Sequence, residues 1–172
     1  MNLTNRPRRL RNGALLRSMV RETRISADTL IYPMFVQDGE NIREEIPSMP
    51  GQYRWSLDCV DELLQQVVDS GVKSVLLFGI PAQKDEIGSS AWQPDGIVQQ
   101  AVRHIKSRFL QLYVITDVCM CEYTSHGHCG ILCGHDVDND KGSWVWSWSW
   151  TIWTSTPPCW PCSRSTTSIW WC

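Results

Sequence analysis

Three apolar runs, residues 30–36, 72–80 and 112–118, are separated by two stretches in which apolar positions recur at helical spacing. Leu30-Ile-Tyr-Pro-Met-Phe-Val36, Val72-Lys-Ser-Val-Leu-Leu-Phe-Gly-Ile80 and Leu112-Tyr-Val-Ile-Thr-Asp-Val118 are rich in branched and aromatic residues. Such near-continuous runs predict strands covered on both faces. Pro33 lacks a ladder N–H, so the first strand should have an irregular or edge-like point there. Between the runs, Val60, Leu63, Leu64, Val67 and Val68 predict a helix over 57–70, with Ser56 as its N-cap and Gly71 as its stop. Ile97, Val98, Ala101, Val102 and Ile105 form the inner stripe of a second helix, capped by Asp95 and running to Phe109. Ahead of these, the basic Arg6-Pro-Arg-Arg-Leu-Arg11 and a weakly amphipathic 14–23, with Leu15, Met19 and Val20, read as an arm over 1–24 followed by a short helix.

The order strand, helix, strand, helix, strand predicts an α/β fold with parallel pairing and right-handed crossovers. Its functional groups should gather at the carboxyl ends of the strands. A doubly wound sheet and a barrel both fit three strands. The chain holds no Gly-x-Gly-x-x-Gly, no Walker loop and no internal repeat.

Composition narrows the class. The 172 residues suit one domain or part of a larger one. With 42% hydrophobic and 20% charged residues, wholesale disorder is excluded. A net charge of −2 argues against a dedicated nucleic-acid binder. No apolar run approaches the roughly 18 residues of a spanning helix, and no apolar stretch after the basic opening resembles a secretory signal. The expectation is a cytoplasmic protein without a membrane partner, whose clustered thiols point to metal before disulfides.

The totals conceal a break after Asp140. Residues 1–140 carry all 18 acidic residues and two tryptophans, Trp55 and Trp92. The last 32 carry no Asp or Glu, eight tryptophans, three cysteines and twelve Ser or Thr. Repeated Trp-Ser with no implied packing partner is an aggregation hazard and a poor fold. Trp has the single codon TGG and Ser can be AGC. Shifted by one base, TGG-AGC-TGG-AGC reads CTG-GAG-CTG-GAG, which is Leu-Glu-Leu-Glu, a good helix former. Residues 141–172 therefore read as an out-of-frame tail with no domain of its own, the alternative being a genuine Trp-rich binding tail. Function is read from residues 1–140.

The third strand runs into Thr116-Asp117-Val-Cys119-Met-Cys121-Glu-Tyr-Thr-Ser-His126-Gly-His128-Cys129-Gly130. Thiolates are soft ligands suited to Zn²⁺, and three protein ligands with one open position is the catalytic zinc arrangement. Cys119 and Cys121, two apart, would share a face if the strand continued. Gly127 and Gly130 let the chain fold Cys129 back toward them. His126, His128, Cys133 and His135 remain open as a fourth ligand or as supporting donors. A disulfide and plain buried thiols are the alternatives to zinc. Asp117, just before the cluster, can face substrate, support a ligand or cap a turn.

These residues identify a resemblance. Residues 6–140 closely resemble porphobilinogen synthase, the delta-aminolevulinic acid dehydratase family. The matching stretches are Arg6–Arg11, Ile46-Pro-Ser-Met-Pro-Gly51, Phe78-Gly-Ile80, Pro94-Asp-Gly96, Asp117 through Gly130 and Val137-Asp-Asn-Asp140. The resemblance implies a TIM (β/α)8 barrel, here incomplete at about three strands over 25–140. It also implies an N-terminal arm that embraces a neighbouring copy in a homo-octamer. The implied activity is a hydro-lyase reaction in tetrapyrrole (heme) biosynthesis, condensing two 5-aminolevulinate molecules to porphobilinogen with loss of two waters. Cys119, Cys121 and Cys129 match the thiols that hold Zn²⁺ in the zinc-type members, and Asp117 matches an aspartate lining the active site. Mg²⁺ is a further metal of the intact family member.

The resemblance also marks what is missing. The family forms Schiff bases on two lysines of the later half of the barrel. The four lysines here, Lys73, Lys84, Lys106 and Lys141, lie in none of those motifs. The chain as written is therefore expected to be inactive and prone to aggregate, either as an interrupted enzyme or as a non-enzymatic zinc-binding fragment or pseudogene product.

Overall fold

The computed structural model describes residues 8–138, 140–142 and the backbone of 167–171. A short helix α1 (Ala14–Val20) precedes strand β1 (Ile31–Gln37), strands β2 (Arg43–Glu45) and β3 (Tyr53–Trp55), and helix α2 (Val60–Asp69). Strand β4 (Ser74–Ile80), helix α3 (Ile97–Arg108) and strand β5 (Tyr113–Val118) follow, then β6 (Leu132–Cys133), β7 (Asp136–Val137) and β8 (Thr167–Trp171).

The main sheet has the order β2-β3-β1-β4-β5-β8, parallel throughout except for the antiparallel β2–β3 pair. The three expected strands are its centre. Ile31 pairs with Ser74 and Gln37 with Ile80, while Ser74 pairs with Tyr113 and Leu77 with Thr116. Pro33 behaves as its chemistry requires. β3 reaches β1 only at Phe35 and Val36, so at Pro33 the strand has its neighbour on the β4 side alone.

The helices cover one face of the sheet. Met34, Val36, Val75, Leu77 and Val114 pack with Leu64, Val67, Ala101, Val102 and Ile105 in one buried cluster. Leu64, Leu77 and Ile105 are fully buried, each stabilising the fold by about 1.5–3 kcal/mol relative to exposure. Between α2 and α3, Asp61 accepts from His104 Nε2 at 2.6 Å and pairs with the Arg108 guanidinium. By strand alternation Phe35, Leu76, Phe78 and Ile80 point to the opposite face. All four are only half-buried there, and the Phe35 and Phe78 rings stack at 5.4 Å.

Both expected N-caps are displaced. Ser56 is buried and its hydroxyl is engaged with the Ile42 backbone, accepting that N–H at 2.8 Å, so α2 starts after Cys59 instead. α3 starts after Gly96, one residue beyond Asp95, and neither helix has a side-chain cap. The segment between β1 and β3 contains β2, whose Glu44 pairs in register with Arg54 of β3.

The composition break after Asp140 is not a break in the backbone. Asp138 takes the Gly142 N–H at 2.8 Å on its carbonyl and the Lys141 N–H at 3.0 Å on its carboxylate. The tail is also not wholly without an element, because 167–171 lies parallel beside β5, from Val114↔Thr167 to Val118↔Trp171. The Trp-rich 144–150 lies outside the described residues. On the arm, Leu15 is 85% exposed and Met19 76%, so α1 carries these two apolar side chains into solvent in the described protomer. Among the described residues no helix is long and apolar enough to cross a membrane.

Candidate functional site

The carboxyl ends of β1, β4 and β5 carry the chemistry, as parallel α/β sheets dictate. β5 ends at Val118 and the chain turns at once: Met120 O accepts the Tyr123 N–H at 2.9 Å and the Thr124 N–H at 3.0 Å. Cys119 and Cys121 are thus not successive outward positions of a continuing strand. A tight turn brings them together.

The three thiols meet. Cys119 Sγ lies 2.7 Å from Cys121 Sγ and 3.7 Å from Cys129 Sγ, and the Met120 N–H donates to Cys129 Sγ at 3.3 Å. All three are free cysteines in this structure. With Zn–S bonds of about 2.3 Å, tetrahedral geometry separates two ligand sulfurs by about 3.8 Å. The Cys119–Cys129 edge has that length. The Cys119–Cys121 edge is too short for a shared metal and too long for a disulfide of about 2.05 Å. Accordingly, among the described residues no group of three or more His, Cys, Asp or Glu stands ready to hold a metal ion. The donor set suits a soft divalent ion.

The histidines separate. His126 Nδ1 accepts the His128 N–H at 3.1 Å, and its Nε2 lies 3.1 Å from Glu86 O, an acceptor. The ring is therefore assigned as the neutral Nε2–H tautomer with both nitrogens engaged, which leaves no lone pair for a metal. The His128 ring stacks on His126 at 5.7 Å. Cys133 and His135 are exposed on the β6–β7 hairpin.

Asp117, half-buried at the end of β5, has its carboxyl pushed above the ordinary value by burial. Sequence reasoning gave no role to its neighbour Glu122. That side chain turns back under β4, where it accepts the Gly79 N–H at 3.3 Å. Burial first, then the charge of Asp117, raise its pKa to about 7. Tyr123 beside it is buried, and burial together with Glu122 pushes its phenol upward, so it stays protonated.

Glu122 also lines a cavity of about 230 Å³ with Phe35, Ile46, Ile80, Arg54 and Lys84. The cavity is an apolar cup with one carboxyl and two cationic groups, on the sheet face that the helices do not cover. Of the other lysines, Lys73 pairs with Asp28 at 2.5 Å, Lys141 with Asp138 at 3.2 Å, and Lys106 donates to Leu112 O at 3.2 Å.

Known proteins match this chain in sequence and in fold. The sequence model of the delta-aminolevulinic acid dehydratase family matches residues 4–147. The delta-aminolevulinic acid dehydratase of Ruminiclostridium josui is 56% identical over 139 residues, covering 81% of this chain and 68% of that protein. That of Halalkalibacterium halodurans is 49% identical over 135 residues, covering 78% of this chain and 41% of that protein. The crystal structure of the Toxoplasma gondii enzyme in complex with the reaction product porphobilinogen superposes with a TM-score of 0.80 at 30% identity. It covers 88% of this chain and 44% of that one. The chain thus spans two thirds of the first relative and less than half of the other two.

Proposed function

The chain belongs to the delta-aminolevulinic acid dehydratase family, and from that premise we propose that it is the amino-terminal part of a porphobilinogen synthase. In this reading, β1, β4 and β5 with α2 and α3 are the opening strands and helices of a TIM barrel. The whole enzyme is a lyase that joins two 5-aminolevulinate molecules into porphobilinogen and releases two waters. The observation that carries the reading is the meeting of Cys119, Cys121 and Cys129 directly after β5, inside the family-matched segment.

Cys119, Cys121 and Cys129 are the residues that would hold Zn²⁺. The bound ion would supply Lewis-acid and template chemistry toward one substrate molecule. Asp117 stands two residues before the trio at the strand end, where its carboxyl can meet an amino group of substrate. Mg²⁺ would belong to the half of the barrel beyond this chain. The half-buried Phe35, Leu76, Phe78 and Ile80 support an incomplete barrel, since an apolar sheet face asks for further strands to cover it. The exposed apolar side of α1 supports an arm that docks on a second copy within a homo-octamer. We place the enzyme in the cytoplasm on the same family reading.

The family's Schiff-base chemistry needs an amine held neutral by burial or by a neighbouring cation. Lys73, Lys106 and Lys141 are each engaged elsewhere, and Lys84 lines the cavity beside the Glu122 carboxyl and Arg54. The family match ends at residue 147, and the Trp-rich composition begins at 144. Both support an out-of-frame origin for the tail and an inactive chain as written. The test is formation of porphobilinogen from 5-aminolevulinate. The expected result is no turnover by the 172-residue chain and turnover once the downstream reading frame is restored. Turnover by the chain alone contradicts the proposal.

A further inference from the structure

The return of the chain to Cys129 has little stiffness of its own. Gly127 and Gly130 bracket it at φ of 75° and 149°, in a region open mainly to glycine. Something else must fix the sulfur, and both backbone polar groups of His128, the residue before Cys129, are held by side chains. The His128 N–H donates to His126 Nδ1 at 3.1 Å, and its C=O accepts the Thr124 hydroxyl at 2.9 Å as well as the Gly130 N–H at 3.0 Å.

Each clamp is itself anchored. Thr124 is fully buried, with its N–H on Met120 O at 3.0 Å. The other nitrogen of His126 bonds Glu86 O, in the loop after β4. That loop is ordered by Asp85, whose carboxylate accepts the Ile87 N–H at 3.1 Å and the Ser89 N–H at 2.9 Å. The Asp85 carbonyl accepts the Ser125 N–H at 2.8 Å, closing a bridge between Asp85 and Thr124. One path of hydrogen bonds thus runs from the β4 loop through His126 and Thr124 to His128, and so to Cys129.

We propose that Thr124 and His126 are positioning residues for the metal, which set Cys129 against Cys119 by holding the two backbone polar groups of His128. This rests on the reading of the thiols as metal ligands. The role needs two atoms only, a hydroxyl at 124 and an acceptor at the Nδ1 position of 126. Asparagine at 126 offers its Oδ1 at that position and forfeits the bond to Glu86.

The test is zinc affinity of the full chain, measured by competition with a chromophoric chelator, for Thr124→Val, Thr124→Ser, His126→Ala and His126→Asn. Thermal melts monitor the fold of each variant. Outer residues that orient metal ligands typically contribute 10–100-fold in affinity, and Thr124→Val and His126→Ala should each lose about that much. Thr124→Ser and His126→Asn should return close to the parent. With Co²⁺ as the probe, the two weak variants should show thiolate charge-transfer intensity reduced by about one ligand in three. Parent-like affinity in Thr124→Val and His126→Ala overturns the clamp while leaving the thiol site standing. So does His126→Asn as weak as His126→Ala. A parent that binds no zinc overturns the thiol reading itself.

Discussion

The Tyr123 hydroxyl stands 2.5 Å from the point where a side chain at Gly79 would place its Cβ. Val98 Cγ2 approaches the same point as closely. Gly79 is therefore the socket into which the turn after β5 plugs, with Tyr123 packed over its Cα and Glu122 accepting its N–H. The end of β4 and the thiol turn are one packed unit.

Gly79→Ala should destabilise the protein by about 1–3 kcal/mol, the usual cost of forcing a methyl into a filled core. Denaturant unfolding measures it. Tyr123→Phe in the same background should recover part of the loss by removing one of the two clashing atoms. A Gly79→Ala protein as stable as the parent contradicts this packing.

Glu122 makes stability depend on pH in the metal-free protein. Its pKa rises from 4.5 unfolded to about 7 folded, so the native state binds the extra proton. The favourable contribution is complete below about pH 4.5 and is lost as pH climbs through 7. The full swing is on the order of 3 kcal/mol. Unfolding in chelator at pH 5 and pH 8 should show the parent losing stability from this source and Glu122→Gln losing less. Equal pH slopes in the two proteins contradict the burial of this carboxyl.

Asp61 joins α2 to α3 by accepting from His104 and pairing with Arg108. Asp61→Ala should cost about 1.5–3 kcal/mol, the scale of a hydrogen bond to a charged group. A double-mutant cycle with His104→Ala reads the coupling, and additive single effects contradict it.

The large elements were legible because their residues state them twice, once in propensity and once in period. Val75 and Leu77 alternate into a buried strand, and Leu63, Leu64 and Val67 recur on one helical face. The thiol trio was legible from spacing and from two glycines. β2 and β3 were not, since Arg43-Glu-Glu45 and Tyr53-Arg-Trp55 are too short and too charged to show a period. Ser56 misled because a hydroxyl before an apolar helix suits a cap, yet its position in the fold gives it to Ile42. Glu122 was in plain view within the thiol run. Its raised pKa comes from burial and from Asp117, while its contact with Gly79 of β4 spans 43 residues and no local pattern encodes it. His126 was open in the sequence as a ligand or a supporting donor, and only the fold shows the carbonyl of Glu86 and the amide of His128 at its two nitrogens.

The account turns on Cys119, Cys121 and Cys129 acting together on one ion. Titration of the reduced chain with Co²⁺, followed in the near ultraviolet, tests it most directly. The prediction is a thiolate-to-cobalt charge-transfer band that saturates at one ion per chain, disappears on adding Zn²⁺ and is lost in Cys129→Ser. A titration without that band, or one that Cys129→Ser leaves unchanged, contradicts it.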